Sequence, residues 1–262
     1  MTNYQTLTNS VVASLAVLFI VPLSLEAQTG TVAGTVRVLG PVAPPDLITV
    51  TKNQDVCGKV LSARALLVND GALAFAVVSV EDLEGAIQPT ERLLSNSGCQ
   101  FDPPIVAAAV GDTLAIDNRD DVLHNTHLNL LRGKRSRAVG NWALSRKGVT
   151  VRAVRPLRRA GMIDVECDAH SWMHAKIVIF DHPYFSSTNR AGGYRIEEVP
   201  VGTHTVRIWH EVFGEMEQTV SIRAGATSLA DFVFSTEAVG YGRGGMSQDA
   251  SNGRYPRPDS RY

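Results

Sequence analysis

Three side chains with metal-binding atoms stand at short, regular spacing in the second half of the chain. Cys167, His170 and Met173 follow one another at intervals of three residues, and His124 lies 43 residues before the cysteine. One thiolate, two imidazoles and one weak thioether form the donor set of mononuclear copper sites that transfer electrons. Thiolate and thioether favour Cu(I), whereas imidazole binds both oxidation states, so these residues predict a single copper site.

The segments around these residues alternate between apolar and polar side chains, as β-strands do. Residues 109–120, with the turn Gly111-Asp112, precede the pair His124-Asn125, and residues 161–167 and 175–180 flank the Cys-x2-His-x2-Met loop. From about Phe101 to Phe180 this order resembles the small cupredoxins of the plastocyanin and amicyanin type, whose shortest ligand loop has the same spacing. The resemblance implies a Greek-key β-sandwich that binds one type 1 copper ion.

The same resemblance implies a role for each residue of the site. Nδ1 of His124, Nδ1 of His170 and Sγ of Cys167 would lie in a plane around copper, and Met173 would be the axial ligand. Asn125 would brace the ligand loop close to the thiolate, where hydrogen bonds tune the reduction potential.

Trp172 and His174, on either side of Met173, depart from the family pattern. Trp172 is expected near the metal, where it would add to an apolar surface at His170, the exposed edge through which electrons would pass. An alternative remains open, because His174 could join His124, Cys167 and His170 in a tetrahedral zinc site. A metal-free fold is a second alternative. The other histidines are expected to be surface or hydrogen-bonded residues: His127, His182, His204 and His210.

The N-terminal residues 1–27 have the pattern of a secretory signal peptide. An apolar run from Val11 to Val21 is followed by Pro22 and by Ala27-Gln28, a candidate cleavage point. The run is short for a membrane span, which needs about 20 apolar residues, although a retained anchor stays an alternative. The expected location is therefore the periplasm or the cell surface, with no membrane span after cleavage.

The three cysteines fit an exported copper protein. Cys57 and Cys99 can form a disulfide in an oxidising compartment, which leaves Cys167 as the odd thiol. A metal would hold that thiol as thiolate. The alternative is that Cys57 and Cys99 are free and merely buried.

The rest of the chain predicts an all-β protein, because short alternating runs recur between Gly, Pro, Asn and Asp. Residues 31–39 form a period-2 strand, and Asn69-Asp70-Gly71 predicts a hairpin turn. Only residues 80–94 have a weakly helix-compatible pattern.

A second resemblance begins after the metal loop. A turn Gly192-Gly193 precedes an aromatic strand, and Val199-Pro-Val-Gly202 precedes a strand that ends in Trp209-His210-Glu211. This pattern resembles the transthyretin-like, carboxypeptidase-regulatory-like β-sandwich, also described as a carbohydrate-binding-like fold. The expected organisation is a signal peptide (1–27), an N-terminal β segment that completes one or both sandwiches (28–96), a cupredoxin-like domain (97–182), a transthyretin-like module (183–236) and a disordered tail (237–262).

The charge is close to balanced overall but uneven along the chain. The formal net charge is −1, and removal of residues 1–27 takes away one acidic residue, Glu26. No Asp or Glu occurs between Val122 and Ile163, where basic residues cluster, and such a patch steers an oppositely charged partner. We expect an acidic redox partner or an anionic surface polymer, and no nucleic acid. The residues expected in the patch are Arg132, Lys134, Arg135, Arg137, Arg155, Arg158 and Arg159.

These patterns predict an exported electron carrier rather than an enzyme with its own substrate. The alternative from another class is a non-redox envelope protein that binds carbohydrate or docks to a partner, with a structural metal or none. Its sugar-stacking residues would be Tyr184, Phe185, Trp209 and Tyr241. Copper storage or delivery is a third possibility with similar ligands.

Overall fold

The structure is a computed structural model that describes residues 28–133, 135–153 and 157–237. The expected signal peptide, Lys134, Arg155, Tyr241 and nearly all of the expected tail lie outside the described residues. The elements of the first half are β1 (Thr29–Leu39), β2 (Leu47–Thr49), α1 (Gln54–Cys57), β3 (Val60–Ser62), β4 (Val68–Asn69), β5 (Ala72–Leu73), β6 (Val77–Val80), β7 (Glu91–Asn96), β8 (Phe101–Asp102), β9 (Ile105–Ala109) and β10 (Thr113–Asn118).

The elements of the second half are also strands. They are β11 (His124–Arg132), β12 (Arg135–Leu144), β13 (Thr150–Arg152), β14 (Gly161–Glu166), β15 (His174–Phe180), β16 (Phe185–Ser187), β17 (Gly193–Pro200), β18 (Gly202–His210), β19 (Gly214–Ile222), β20 (Thr227–Leu229) and β21 (Phe232–Ser235).

The all-β prediction is confirmed over the described ranges, where α1 is the one helix and is a single turn long. The weak helix prediction for residues 80–94 is wrong. The last part of that stretch is β7, which pairs in parallel with β10 and buries Leu94. Pairing with a distant strand overrides a weak local preference. None of the described helices is long and apolar enough to cross a membrane.

The first sandwich carries the predicted ligands. Its sheets have the strand orders β13-β10-β7-β8 and β12-β11-β14-β15-β9, and apolar side chains from both sheets fill the space between them. Cys167 and Met173 belong to this same buried cluster. Two of the predicted ligands therefore lie in the packed core of this sandwich.

The second sandwich combines strands from both ends of the chain. β17-β1-β5-β4 forms one sheet, in which β20 and β21 also pair with β1, and β16-β6-β18-β19 forms the other. Its core includes Val36, Ile208 and Phe232. Its identity as a transthyretin-like module stays a prediction.

The N-terminal segment contributes to both sandwiches. β1 and the hairpin β4–β5 lie in the second sandwich, whereas β7 lies in the first. The predicted hairpin turn is present, with positive φ at Asp70 and Gly71 as a two-residue turn requires. Phe75, also at positive φ, lies between β5 and β6, which belong to opposite sheets.

The two sandwiches pack against each other. Alternate residues of β9, β14 and β15 face away from the first core and meet β6 and β18 of the second sandwich, as in the contacts of Met162, Phe180, Val77 and Trp209. Strands covered on both faces read as continuous apolar runs, and β9 is buried along its whole length. Trp209 is only 7% exposed, and Phe185 stacks on Phe180. Two of the aromatic residues suggested for sugar stacking therefore pack in the interface between the sandwiches.

Candidate metal centre

The predicted ligands converge because their strands are neighbours. His124 begins β11, and Cys167 directly follows β14, which pairs antiparallel with β11. After Cys167 the chain makes two tight turns, in which the N–H of His170 donates to Cys167 O at 3.1 Å and that of Met173 donates to His170 O at 2.9 Å. Strand pairing thus brings together residues 43 positions apart in the sequence.

The donor atoms are close together and shielded from water. His124 Nδ1 lies 3.1 Å from His170 Nδ1, which lies 3.7 Å from Cys167 Sγ. Atoms at these separations can share one ion at bond lengths of about 2.0–2.3 Å, which are usual for imidazole and thiolate. The four side chains are 0% (His124), 2% (Cys167), 1% (His170) and 1% (Met173) exposed. The donor set and its spacing therefore fit a single thiophilic metal ion.

Hydrogen bonds place a hydrogen on the outer nitrogen of both imidazoles. His124 Nε2 lies 3.0 Å from Asp120 Oδ2, and His170 Nε2 lies 3.0 Å from Asn53 Oδ1. Both oxygens can only accept, so each ring carries a hydrogen on Nε2. Burial lowers the pKa of His124, but Asp120 and Cys167 outweigh burial and raise that pKa above its ordinary value. The two Nδ1 atoms face each other beside the thiol sulfur, so a cation bound by both would replace their direct contact.

Burial and neighbouring groups shift the pKa values of Cys167 and His170. Burial raises the pKa of the Cys167 thiol, but hydrogen bonds from His124 and from the N–H of Asn125 outweigh burial and bring that pKa below its ordinary value. Burial, together with the neighbouring His124 and Lys52, lowers the pKa of His170 to about 4. At neutral pH the imidazole of His170 is thus unprotonated, which metal binding requires.

Asn125 holds the thiol and the ligand loop at once. Its N–H donates to Cys167 Sγ at 3.4 Å, and its Oδ1 accepts from the Sγ–H at 3.4 Å and from the N–H of Ala169 at 3.2 Å. Its Nδ2 donates to Asp168 at 2.8 Å. Asn125 therefore occupies the bracing position that the resemblance implies.

The additional histidines do not join the cluster. His174 is exposed and lies 2.9 Å from Ser171 O through Nε2, and His127 pairs with Asp168 at 3.0 Å. Among the described residues, the metal-competent groups that contain Cys167 consist of His124, Cys167 and His170. The zinc alternative with His174 as fourth ligand is therefore wrong, because β15 begins at His174 and carries its side chain to the surface.

His170 is not an exposed edge, and this expectation is corrected. Residues 47–62, which we call the strap, cross the outer face of the imidazole, and Trp172 packs beside it with ring centroids 5.0 Å apart. The Trp172 indole N–H donates to Cys99 O at 3.0 Å. Trp172 thus connects the imidazole to the disulfide region.

The disulfide Cys57–Cys99 is present, with the Cα atoms 5.5 Å apart. Cys167 is the free cysteine of the described residues and is buried.

Two partners of the site were missed by the sequence argument, Asp120 and Asn53. Asp120 lies four residues before His124, so a carboxylate close to a ligand histidine was a usable signal. Asn53 is 117 residues from His170, and no local pattern indicates their contact.

The predicted basic patch lies far from these ligands. Arg132 and Arg135 face each other at the tip of the β11–β12 hairpin, whereas His124 pairs with Leu144 at the other end. Eight residue steps along β11 correspond to about 27 Å. Arg137, Arg158 and Arg159 are exposed as well, and all three lie toward that same end of the sheet.

No protein-family model matches the chain, and a search of curated proteins also gives no match. Among solved structures, the chain is similar to a Cu-containing nitrite reductase from Thermus scotoductus (18% identity, TM-score 0.30, 39% of this chain and 25% of that one). It is also similar to a purple cupredoxin from Nitrosopumilus maritimus (19%, 0.28, 33% and 97%). A third is auracyanin A, a blue copper protein from Chloroflexus aurantiacus (19%, 0.30, 35% and 99%). The chain spans about a quarter of the reductase and nearly all of the two small proteins. Each of these matches covers less than half of this chain.

Proposed function

We propose that this chain is an exported type 1 copper protein that carries single electrons in the periplasm or at the cell surface. The observation that carries the proposal is the convergence of two imidazole Nδ1 atoms and one thiol sulfur in a buried cluster. Copper, when bound there, supplies one-electron chemistry between Cu(I) and Cu(II). Met173, buried beside this cluster, would be the weak axial donor.

The chain's own residues keep the site rigid. Strands β11, β14 and β15 fix the positions from which the donors project, and Asp120 and Asn53 hold the rings by their outer nitrogens. Such second partners orient metal ligands and raise their basicity. A site whose geometry changes little between oxidation states exchanges electrons with little reorganisation.

The burial of the proposed ligands bears on the choice between electron transfer and copper delivery. A delivery protein must release its ion to a partner, which requires access to the ligands. Here all four proposed ligands are nearly inaccessible, and the strap covers His170. Burial therefore favours a resident ion that changes its oxidation state over an ion that is handed on.

The alternative of a sugar-binding envelope protein has less support. Of its proposed stacking residues, Trp209 is buried between the sandwiches and Phe185 stacks on Phe180, with ring centroids 4.7 Å apart. Tyr184 is half-buried and remains available for a test of that alternative.

The deciding experiment is to load the purified protein with Cu(II) and record its visible absorption and electron paramagnetic resonance spectra, followed by voltammetry. We expect an intense thiolate-to-copper band, narrow copper hyperfine splitting and a reversible one-electron wave. A colourless protein, or one that takes up zinc in preference to copper from an equimolar mixture, would overturn the proposal.

A further inference from the structure

The outer face of the His170 imidazole is covered by the strap, which comes from a part of the chain far from the ligand loop. The strap consists of β2, α1 and β3, and the two strands pair with each other as a small antiparallel ladder. Asn53, just before α1, places its Oδ1 3.0 Å from His170 Nε2. The contact thus joins the strap directly to a proposed metal ligand.

The strap is anchored to the first sandwich at several points. Cys57 forms the disulfide with Cys99, and Val50 packs with both sulfurs in a buried cluster that Trp172 also contacts. Beyond the disulfide, Gln100 Nε2 donates to Ser62 O at 3.1 Å. These attachments hold the strap in place against the first sandwich, next to His170.

The backbone at Asn53 transmits this anchoring to the imidazole. Its carbonyl oxygen accepts from the N–H of Cys57 at 2.8 Å, so Asn53 is one helical turn from the disulfide. Its φ of 52° and ψ of 42° lie in the left-handed region, which asparagine tolerates better than most residues. The disulfide therefore anchors the backbone within one helical turn of Asn53.

We propose that Asn53 is a positioning residue for His170, delivered by a disulfide-anchored strap that closes the metal site on this side. Asn53 Oδ1 accepts the Nε2 hydrogen and so holds the ring with its Nδ1 directed toward Cys167 and His124. The strap also replaces the apolar imidazole edge by an exposed polar surface that contains Lys52, Gln54 and Asp55. An electron partner would meet this polar surface rather than the ligand itself. The proposal deepens the proposed copper function and rests on it for its biological meaning, but not for its test.

The test compares three substitutions at or near Asn53. Asn53→Gly removes the carboxamide and keeps the left-handed backbone free of strain, Asn53→Asp keeps an acceptor oxygen, and Asp55→Asn is a matched control on the same strap. In the metal-free protein, long-range nitrogen–proton correlation spectra report the tautomer of His170. We expect the Nε2–H form in the parent, in Asn53→Asp and in Asp55→Asn, and a tautomer mixture in Asn53→Gly.

The second readout is affinity for Zn(II), which needs no redox chemistry, and for Cu(II). Loss of a partner to a ligand histidine weakens metal binding by about 10–100-fold, so we expect that loss in Asn53→Gly and not in Asn53→Asp or Asp55→Asn. Equal tautomers and equal affinities in all variants would overturn the role of Asn53. A failure of copper to give a thiolate band would overturn the proposed function instead, because the tautomer and zinc measurements do not depend on that band.

Discussion

The two ends of the first sandwich differ in burial and in charge. The ligand end, with His124, Cys167, His170 and Met173, is buried and covered by the strap. The arginine end consists of the exposed residues Arg132, Arg135, Arg137, Arg158 and Arg159, and Arg132 lies about 27 Å from His124 along β11. In the sequence these arginines stand between two ligands, because a long hairpin carries the chain away from the site and back.

This separation changes the role that the basic patch can have. Charges in solution are screened over about 8 Å at physiological ionic strength, so the arginine end acts little on the field at the metal site. We propose that it binds an anionic partner or polymer, and that electrons are exchanged elsewhere, near the strap. Five variants, two of them double substitutions, test the two ends.

The largest effect is expected from Cys167→Ser at the ligand end. Because the thiolate is the source of an intense visible band, the variant should lose that band completely. Circular dichroism should still report the β-fold, since the volume change is small. Any retained intense colour would show that Cys167 is not a copper ligand.

Removal of the disulfide is the next largest change. Cys57→Ala together with Cys99→Ala should lower the free energy of unfolding by about 2–4 kcal/mol, measured by urea denaturation, because the open loop gains entropy in the unfolded chain. Metal affinity should fall as well, since the strap loses its anchor. Unchanged stability and affinity would mean that the other contacts hold the strap alone.

Asp120→Asn tests the outer contact of the second imidazole. Asp120 also accepts the N–H groups of Gly98 and Cys99, and these bonds, with His124, outweigh its burial and lower its pKa. Loss of the carboxylate should weaken copper binding by about 10–100-fold and raise the reduction potential, because negative charge stabilises Cu(II). The exposed neighbour Asp121 supplies the control, Asp121→Asn, and equal affinity in both variants would contradict the prediction.

Met173→Leu should keep copper bound but raise the reduction potential, since the axial donor stabilises Cu(II). Voltammetry of the loaded protein measures the change. Leucine and methionine have similar volumes, so the buried surroundings of residue 173 should keep their structure in this variant. A potential equal to that of the parent would argue against Met173 as a ligand.

The smallest effect at the metal is expected from the arginine end. Arg135→Glu combined with Arg137→Glu should leave the visible spectrum unchanged and copper affinity within about twofold of the parent. Binding to polyglutamate at low salt should weaken strongly, and the difference should disappear as salt is added. A shift in the copper spectrum would show that the two ends are coupled after all.

The comparison also shows which features of the chain are local. The hairpin turn at Asp70 and Gly71 follows from residues that tolerate positive φ, and the strands of the first sandwich follow from alternation and apolar runs. The helix predicted within residues 80–94 failed because β7 gains its stability from pairing with β10. Trp209 is buried because the two sandwiches pack against each other, and the residues around it in the sequence do not predict that contact.

The sequence by itself determined the donor types, their spacing, the pair of cysteines available for a disulfide and the β-rich character of the chain. These properties depend on side-chain chemistry and on contacts within a few residues. Only the tertiary structure decided that His170 is covered, that Asn53 and Asp120 hold the two imidazoles, and that the arginines lie at the opposite end. Such features depend on which distant strands pair and on where the disulfide places the strap. The spacing of residues along the sequence predicts neither of these.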